Sequence, residues 1–258
     1  MGELMNIKSV TGQIAASATA LLISAGIANA ADLYERHRGS MKDAPVVERE
    51  RPKCGANVAL TTDYIFRGET QSGHEAAIQG GFDCDYRMFY AGVWASSIDG
   101  GDVDMEIDVY GGIKHKFGGI EADLGVIYYA YPDANDAAAE LDYVEVKFGL
   151  SGNLTEKLGV SGTVYWSDDY YGTIGETWVL EGGVEYAFGT YGRFTPTFSA
   201  LIGYLDDVDG AGDFTYWNAG VEIGFDEKFA LDLRYWDTDQ DSNPLADERF
   251  VATISASF

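Results

Sequence analysis

Near the C-terminus, Asp237, Asp239, Asp241, Asn243 and Glu248 occupy positions 1, 3, 5, 7 and 12 of a run, the spacing at which a calcium loop gathers oxygen ligands. Ser242 stands where such a loop needs glycine for its sharp turn, and Leu245 fills the ninth place. On those departures an acidic, solvated loop is the preferred reading and calcium at an extracellular loop the weaker one. No other cofactor is indicated. The histidines are His37, His74 and His115. None sits with a serine and a polar orienter on one strand surface, as a barrel lipase would need, and no His/Cys cluster has zinc spacing. The chain therefore reads as no enzyme. Cys54 and Cys84 are too far apart for a CxxC motif. In an oxidising compartment they form either a cross-strand disulfide or two free thiols shielded by lipid.

The charged residues with the stronger pattern recur at every second position. Met105, Ile107, Val109, Gly111, Ile113 and Phe117 share one face of a segment whose other face holds Asp104, Glu106, Asp108, Tyr110, Lys114 and Lys116. The next segment repeats this, with Ile120, Ala122, Leu124, Val126 and Tyr128 against Glu121, Asp123, Gly125 and Tyr129. Such a strand offers one side to hydrocarbon and the other to water. Counting on this basis predicts twelve strands, at about 57–67, 76–86, 89–97, 104–117, 120–131, 141–150, 157–167, 176–188, 193–204, 214–225, 229–236 and 248–258. An even number lets an antiparallel sheet close with both termini on one side. By parity the polar face comprises Asp63, Arg67, Asp83, Asp85, Glu106, Asp108, Lys114, Glu121, Asp123, Glu145, Lys147, Glu181, Glu185, Glu222, Asp232, Arg234 and Arg249. These would line a hydrated pathway favouring cations, or form internal salt-bridge ladders in a nearly closed barrel.

Periodicity alone also fits a soluble sandwich; the connections separate the two. Those after even strands are short, at 87–88, 118–119, 151–156, 189–192 and 226–228. Those after odd strands are longer and acidic, at 68–75, 98–103, 132–140, 168–175, 205–213 and 237–247. Short turns on one rim and long loops on the other characterise an outer-membrane barrel, with the short turns periplasmic. The aromatics fall into two belts. Phe82, Tyr86, Phe89, Phe117, Phe148, Phe188, Phe194, Phe225 and Phe229 lie near the short turns, and Tyr64, Phe66, Tyr128, Trp166, Trp178, Tyr204, Trp217 and Tyr235 near the long loops. The chain ends on Phe258, preceded at alternate positions by Ala256, Ile254, Ala252 and Phe250, a pattern resembling the signal read by the outer-membrane assembly machinery. The predicted fold is all-β, a transmembrane antiparallel up-and-down barrel.

Residues 1–30 read as an export signal. Lys8 supplies positive charge, 14–27 is apolar, and Ala28-Asn29-Ala30 has the form of a cleavage site. Residues 31–53 hold five acids and six bases without period and read as a flexible periplasmic tether, or alternatively as a short helix or plug reaching into the barrel. With a net charge of -25 overall, residues 54–258 carry -26. So acidic a body excludes nucleic acid as a partner, since phosphate binding needs clustered bases. It suits small cations, and a surface bridged to lipopolysaccharide by divalent metal within outer-membrane lipid. The pattern carries no signal for oligomeric state.

One stretch is more specific than the rest. Asn57-Val-Ala-Leu-Thr-Thr-Asp-Tyr-Ile-Phe-Arg-Gly68, then Gln71 and Ala77-Ile-Gln-Gly-Gly-Phe-Asp83, resembles the TorF-type porins, also known as the Gcw_chp family. Tyr90-Ala-Gly-Val-Trp-Ala-Ser96, Glu106-Ile-Asp-Val-Tyr110 and Tyr128-Tyr-Ala-Tyr-Pro132 fit the same pattern, and the resemblance runs from about residue 55 to Phe258. Asp133, where that pattern has Gly, and the long 31–53 segment depart from it. The resemblance implies a proteobacterial outer-membrane protein, porin-like, for passive diffusion of small hydrophilic solutes. A non-conducting structural or adhesive barrel is the alternative, and a lipid-acting barrel enzyme ranks below both.

Overall fold

The computed structural model describes residues 51–258, apart from 102, 133, 135–140, 173 and 209–211. The predicted signal, and the tether as far as residue 50, lie outside the described residues. Twelve strands close into one antiparallel barrel: β1 (Lys53–Thr61), β4 (Ala77–Tyr86), β5 (Phe89–Ser97), β6 (Met105–Phe117), β7 (Ile120–Ala130), β8 (Tyr143–Asn153), β9 (Leu158–Tyr170), β10 (Gly175–Ala187), β11 (Phe194–Asp207), β12 (Phe214–Phe225), β13 (Phe229–Thr238) and β14 (Arg249–Ser257). Two further strands, β2 (Ile65–Phe66) and β3 (Glu69–Thr70), form a separate hairpin. The sheet closes where β1, already paired with β4, also pairs with β14 from Asn57↔Ser257 to Thr61↔Thr253. Closure satisfies every strand edge, which a sheet surrounded by hydrocarbon requires.

Alternation fixes which way the side chains point. Leu60, Ile78, Phe82, Leu124, Val126, Phe148, Leu150, Leu180, Ile202, Leu233 and Ile254 are exposed on the outer surface. Their inward neighbours are polar, aromatic or glycine, with the aliphatic exceptions Ala59, Ala77, Ile127, Val179 and Leu201. An apolar belt on this scale far exceeds the patches that soluble monomers carry, and hydrocarbon covers it without cost. The C-terminal pattern faces the same way: Phe250 and Phe258 are 82% and 78% exposed, with Ile254 between them.

Cys54 and Cys84 are directly paired across β1 and β4 and are joined by a disulfide. The wall differs from the sequence expectation in two places. β9 and β10 run past their predicted ends, so the 171–174 connection is shorter than the 188–193 turn at the other rim, and loop length is not sorted by parity there. The larger correction is at β1, which stops at Thr61 rather than near 67. From there the chain leaves the wall and turns into the barrel.

Candidate functional site

The inward loop, residues 62–76, is organised by Asp63. Its Oδ1 accepts from the Thr70 and Ser72 hydroxyls, and its Oδ2 from Arg249 Nη1 at 2.9 Å. Ser72 Oγ also accepts the backbone N–H of Tyr64. These bonds fold the loop back on itself and present the β2–β3 hairpin, with Ile65 opposite Thr70 and Phe66 opposite Glu69. Arg67 and Gly68 form its turn, at φ of 49° and 88°, the two positive values of a tight I′ connection. Gly68 is required twice over: besides its φ, a Cβ there would lie 2.4 Å from Thr238 Cγ2 and 2.9 Å from Tyr216 Cβ. The turn is thus pressed against the β12–β13 wall.

From that turn Arg67 reaches the β8 wall. Its Nη1 and Nη2 donate to the two carboxylate oxygens of Glu145 at 2.7 and 2.8 Å, and the Tyr129 hydroxyl donates to Glu145 Oε2 at 3.0 Å. The guanidinium also lies over the rings of Phe66, Tyr165 and Tyr170, 4.6, 5.1 and 5.3 Å from their centroids. Arg67 and Glu145 are 2% and 1% exposed, and with Gly68 against Thr238 and Tyr216 the tip spans from the β12–β13 wall to β8 at this height. Breaking a buried bidentate pair from one side costs about 3–5 kcal/mol, since it strands the other charge. Higher on the loop, Tyr64 packs edge-on against Trp94 at 5.3 Å and donates to Glu106 Oε1 at 2.7 Å, while Tyr131 donates to Oε2 at 2.9 Å. Burial, then the adjacent Glu106 charge, pushes the Tyr64 phenol well above its ordinary range, so it stays a donor.

The run at 237–248 holds this plug through its amide side chains and backbone carbonyls. Asp237 accepts from the Thr238 backbone N–H and the Tyr235 hydroxyl, and Asp239 from the Thr215 N–H. Asp241 and Glu248 face solvent. Backbone donors take the carboxylates of Asp237 and Asp239, and among the described residues no metal-holding cluster of His, Cys, Asp or Glu forms. Instead Gln240 and Asn243 donate to Glu69 Oε1 at 3.0 and 2.7 Å, Leu245 O accepts from Thr70 N, and Pro244 O lies 3.1 Å from His74 Nε2. The last long loop is a strap across the hairpin.

The residues expected to line the interior fall into three tiers. At the height of the plug are Glu106, Asp108, Glu145 and Glu181, all buried. Asp63 and Arg67 are at that height too, but on the plug and not, as expected, on the wall; Arg249 is tied to Asp63. In the middle tier the Tyr90 hydroxyl donates to Asp123 at 2.8 Å, Lys147 Nζ lies 3.0 Å from Asp123, and Lys114 Nζ sits 4.4 Å from the Tyr90 ring centre. Asp83 accepts from Tyr110. Across the lumen, Arg234 binds Asp232 at 2.9 Å, Asn218 Oδ1 and Ser199 Oγ, with Glu185 and Glu222 on the same side. The third tier, at the short-turn rim, has Asp85 exposed and Glu121 3.4 Å from Lys116. Away from the lumen, His115 lies on the outer face beside Phe117, while His37 is outside the described residues.

Every strand and the whole inward loop fall within residues 51–258, the stretch that matches the family model described as bacterial protein of unknown function (Gcw_chp). The chain belongs to the Gcw_chp family. No curated protein matches it. Among solved structures, the Gcw_chp barrel is similar to the KdgM porin, at 11% identity and a TM-score of 0.55, over 79% of this chain and 99% of that one. It is similar also to a KdgM porin in complex with disordered oligogalacturonate (11%, 0.56, 79% and 99%) and to the NanC porin (10%, 0.51, 79% and 98%). At these identities the likeness is one of fold.

Sequence reasoning placed Tyr110 and Tyr129 on the polar face but missed the rest of the aromatic lining of the Gcw_chp lumen. Tyr64 and Phe66, assigned to the outer belt, are buried inside, joining Trp94, Tyr129, Tyr143, Tyr165 and Tyr216. Parity held the signal for the wall members, since each shares its face with the polar residues of its strand. For Tyr64 and Phe66 there was none, because the chain had already left the wall.

Proposed function

We propose that this protein is a porin-like channel of the Gram-negative outer membrane, a TorF-type member of its family exported with a cleaved signal, and that loop 62–76 forms its constriction. The observation that carries the reading is a closed barrel, apolar outside and charged inside, with an inward hairpin across the lumen. Small hydrophilic solutes are the cargo, and cations are preferred. Acids outnumber bases more than two to one along the lumen face, and charged rings of one sign select the opposite ion. One KdgM porin structure is a complex with disordered oligogalacturonate, a polyanion; an acidic lumen favours solutes of the other sign. The short-turn rim faces the periplasm and the strap faces outward, where divalent ions would bridge its carboxylates to lipopolysaccharide. The outward Phe250, Ile254 and Phe258 suit recognition by the assembly machinery.

The plug supports a second reading, a non-conducting structural barrel, because its Arg67–Glu145 pair is buried across the interior. Planar-bilayer recording separates the two. The channel reading expects discrete steps that enlarge in Arg67→Ala, a reversal potential favouring cations, and liposome swelling with small solutes. Silence from both proteins overturns it, and anion-favouring potentials overturn the charge preference.

A further inference from the structure

The seat of Arg67 has features that a stopper does not need. An occluding hairpin tip is made most cheaply from apolar side chains, since a buried ion pair often contributes no more than well-packed hydrophobics. Here the tip carries a cation into a cradle built for one. Glu145 offers both oxygens in the geometry that fits a planar guanidinium, Tyr129 orients it from the far side, and Tyr165 and Tyr170 turn their rings to the charge. These four residues belong to the barrel, on β7, β8 and β9, so the cradle is part of the wall and does not depend on the hairpin.

The cradle also holds more acceptor capacity than Arg67 uses. Asp108, cross-strand from Tyr129, is 0% exposed, and neither of its carboxylate oxygens has a hydrogen-bond partner. The Nε of Arg67 is unpartnered as well. Donor and acceptor are both buried, Asp108 opposite the Tyr129 that donates to Arg67's partner Glu145, yet they do not meet, so the fit of Arg67 is incomplete.

We propose that Glu145, Tyr129, Tyr165 and Tyr170 form a solute site for a small guanidinium- or amine-bearing cation, and that Arg67 occupies it as a tethered stand-in. This rests on the reading of the lumen as a solute path and specifies the cargo. An entering cation replaces Arg67 on Glu145, the hairpin tip is freed, and the charge balance of the buried carboxylates is preserved throughout. A tethered group acts at an effective concentration on the order of millimolar, so the solute must compete at that level. Asp108 adds a second anionic contact, which favours cargo with two cationic groups.

Calorimetry on the full-length, detergent-solubilised barrel tests the site, with methylguanidinium as probe and its neutral isostere methylurea as control. Arg67→Ala, shown to be folded by its heat-modifiable gel mobility, is expected to bind methylguanidinium at least tenfold more tightly than the unmutated protein. Neither should bind methylurea. Adding Glu145→Gln to Arg67→Ala should abolish binding. Equal affinity with and without Arg67, or binding that survives Glu145→Gln, overturns the proposal. Should Arg67→Ala fail to fold, Arg67→Lys replaces the fork with a single ammonium; methylguanidinium must then bind more tightly than to the unmutated chain, and unchanged affinity refutes the site. Binding without conductance would sink the channel reading while leaving the site; conductance without binding would do the reverse.

Discussion

Arg67 and Gly68 carry the closed state through different physics, and their substitutions should separate the two. Arg67→Ala removes a bidentate partner from buried Glu145, and the cost of about 3–5 kcal/mol falls on the seated loop rather than on the barrel. Hydrogen exchange by mass spectrometry should show the amides of 62–76 exchanging about a hundredfold faster or more, with β6 to β12 unchanged. Gly68→Ala leaves the ion pair intact but places a methyl against Thr238 and Tyr216 at positive φ, costing about 1–3 kcal/mol. Trimming Thr238 to serine in the same chain should recover part of that loss, which it cannot do for Arg67→Ala. Both residues stand in the most specific motif of the sequence, yet only the turn geometry explains why this pair is adjacent.

At the scale of elements, eleven of the wall strands were legible because one physical cause, a sheet between water and hydrocarbon, writes the same period into each. The end of β1 was not. Asp63 and Arg67 keep the parity of the polar face and the β2–β3 hairpin is itself extended, so period two marks the departure from the sheet only by Ile65, an apolar residue at a polar position. The acidic run after β13 read as a solvated loop and gave no sign of its work as a strap, because spacing reports where carboxylates fall along the chain, but not which donors take them or what the residues between them hold. Its work as a strap is testable. Replacing Gln240 and Asn243 together with alanine removes both side-chain bonds to Glu69, and loop-62–76 exchange should rise by a smaller factor than for Arg67→Ala. The disulfide between Cys54 and Cys84 spans 30 residues, and a double serine variant should lose about 3–4 kcal/mol, read as a lower urea midpoint for unfolding from lipid vesicles.

For the molecule as a whole, the two faces of the wall should answer to charge in opposite ways. Leu124, exposed midway along β7, meets the apolar belt, and Leu124→Arg should cost about 2–4 kcal/mol in vesicle unfolding. Glu222 faces inward, directly cross-strand from Asp232, so Glu222→Gln relieves a like-charge contact. That variant should fold at least as well as the parent, while its reversal potential moves towards non-selectivity. The plug adds a property that neither face has alone. Residues 62–76 lie entirely inside the ring of chain that the Cys54–Cys84 bond closes at the opposite rim. A protease reaching the mouth could sever the hairpin once without releasing a fragment: both new ends would stay attached to strands still stapled and still zipped to their neighbours. A nicked molecule would keep its wall, run as one species until reduced, and have lost only its stopper.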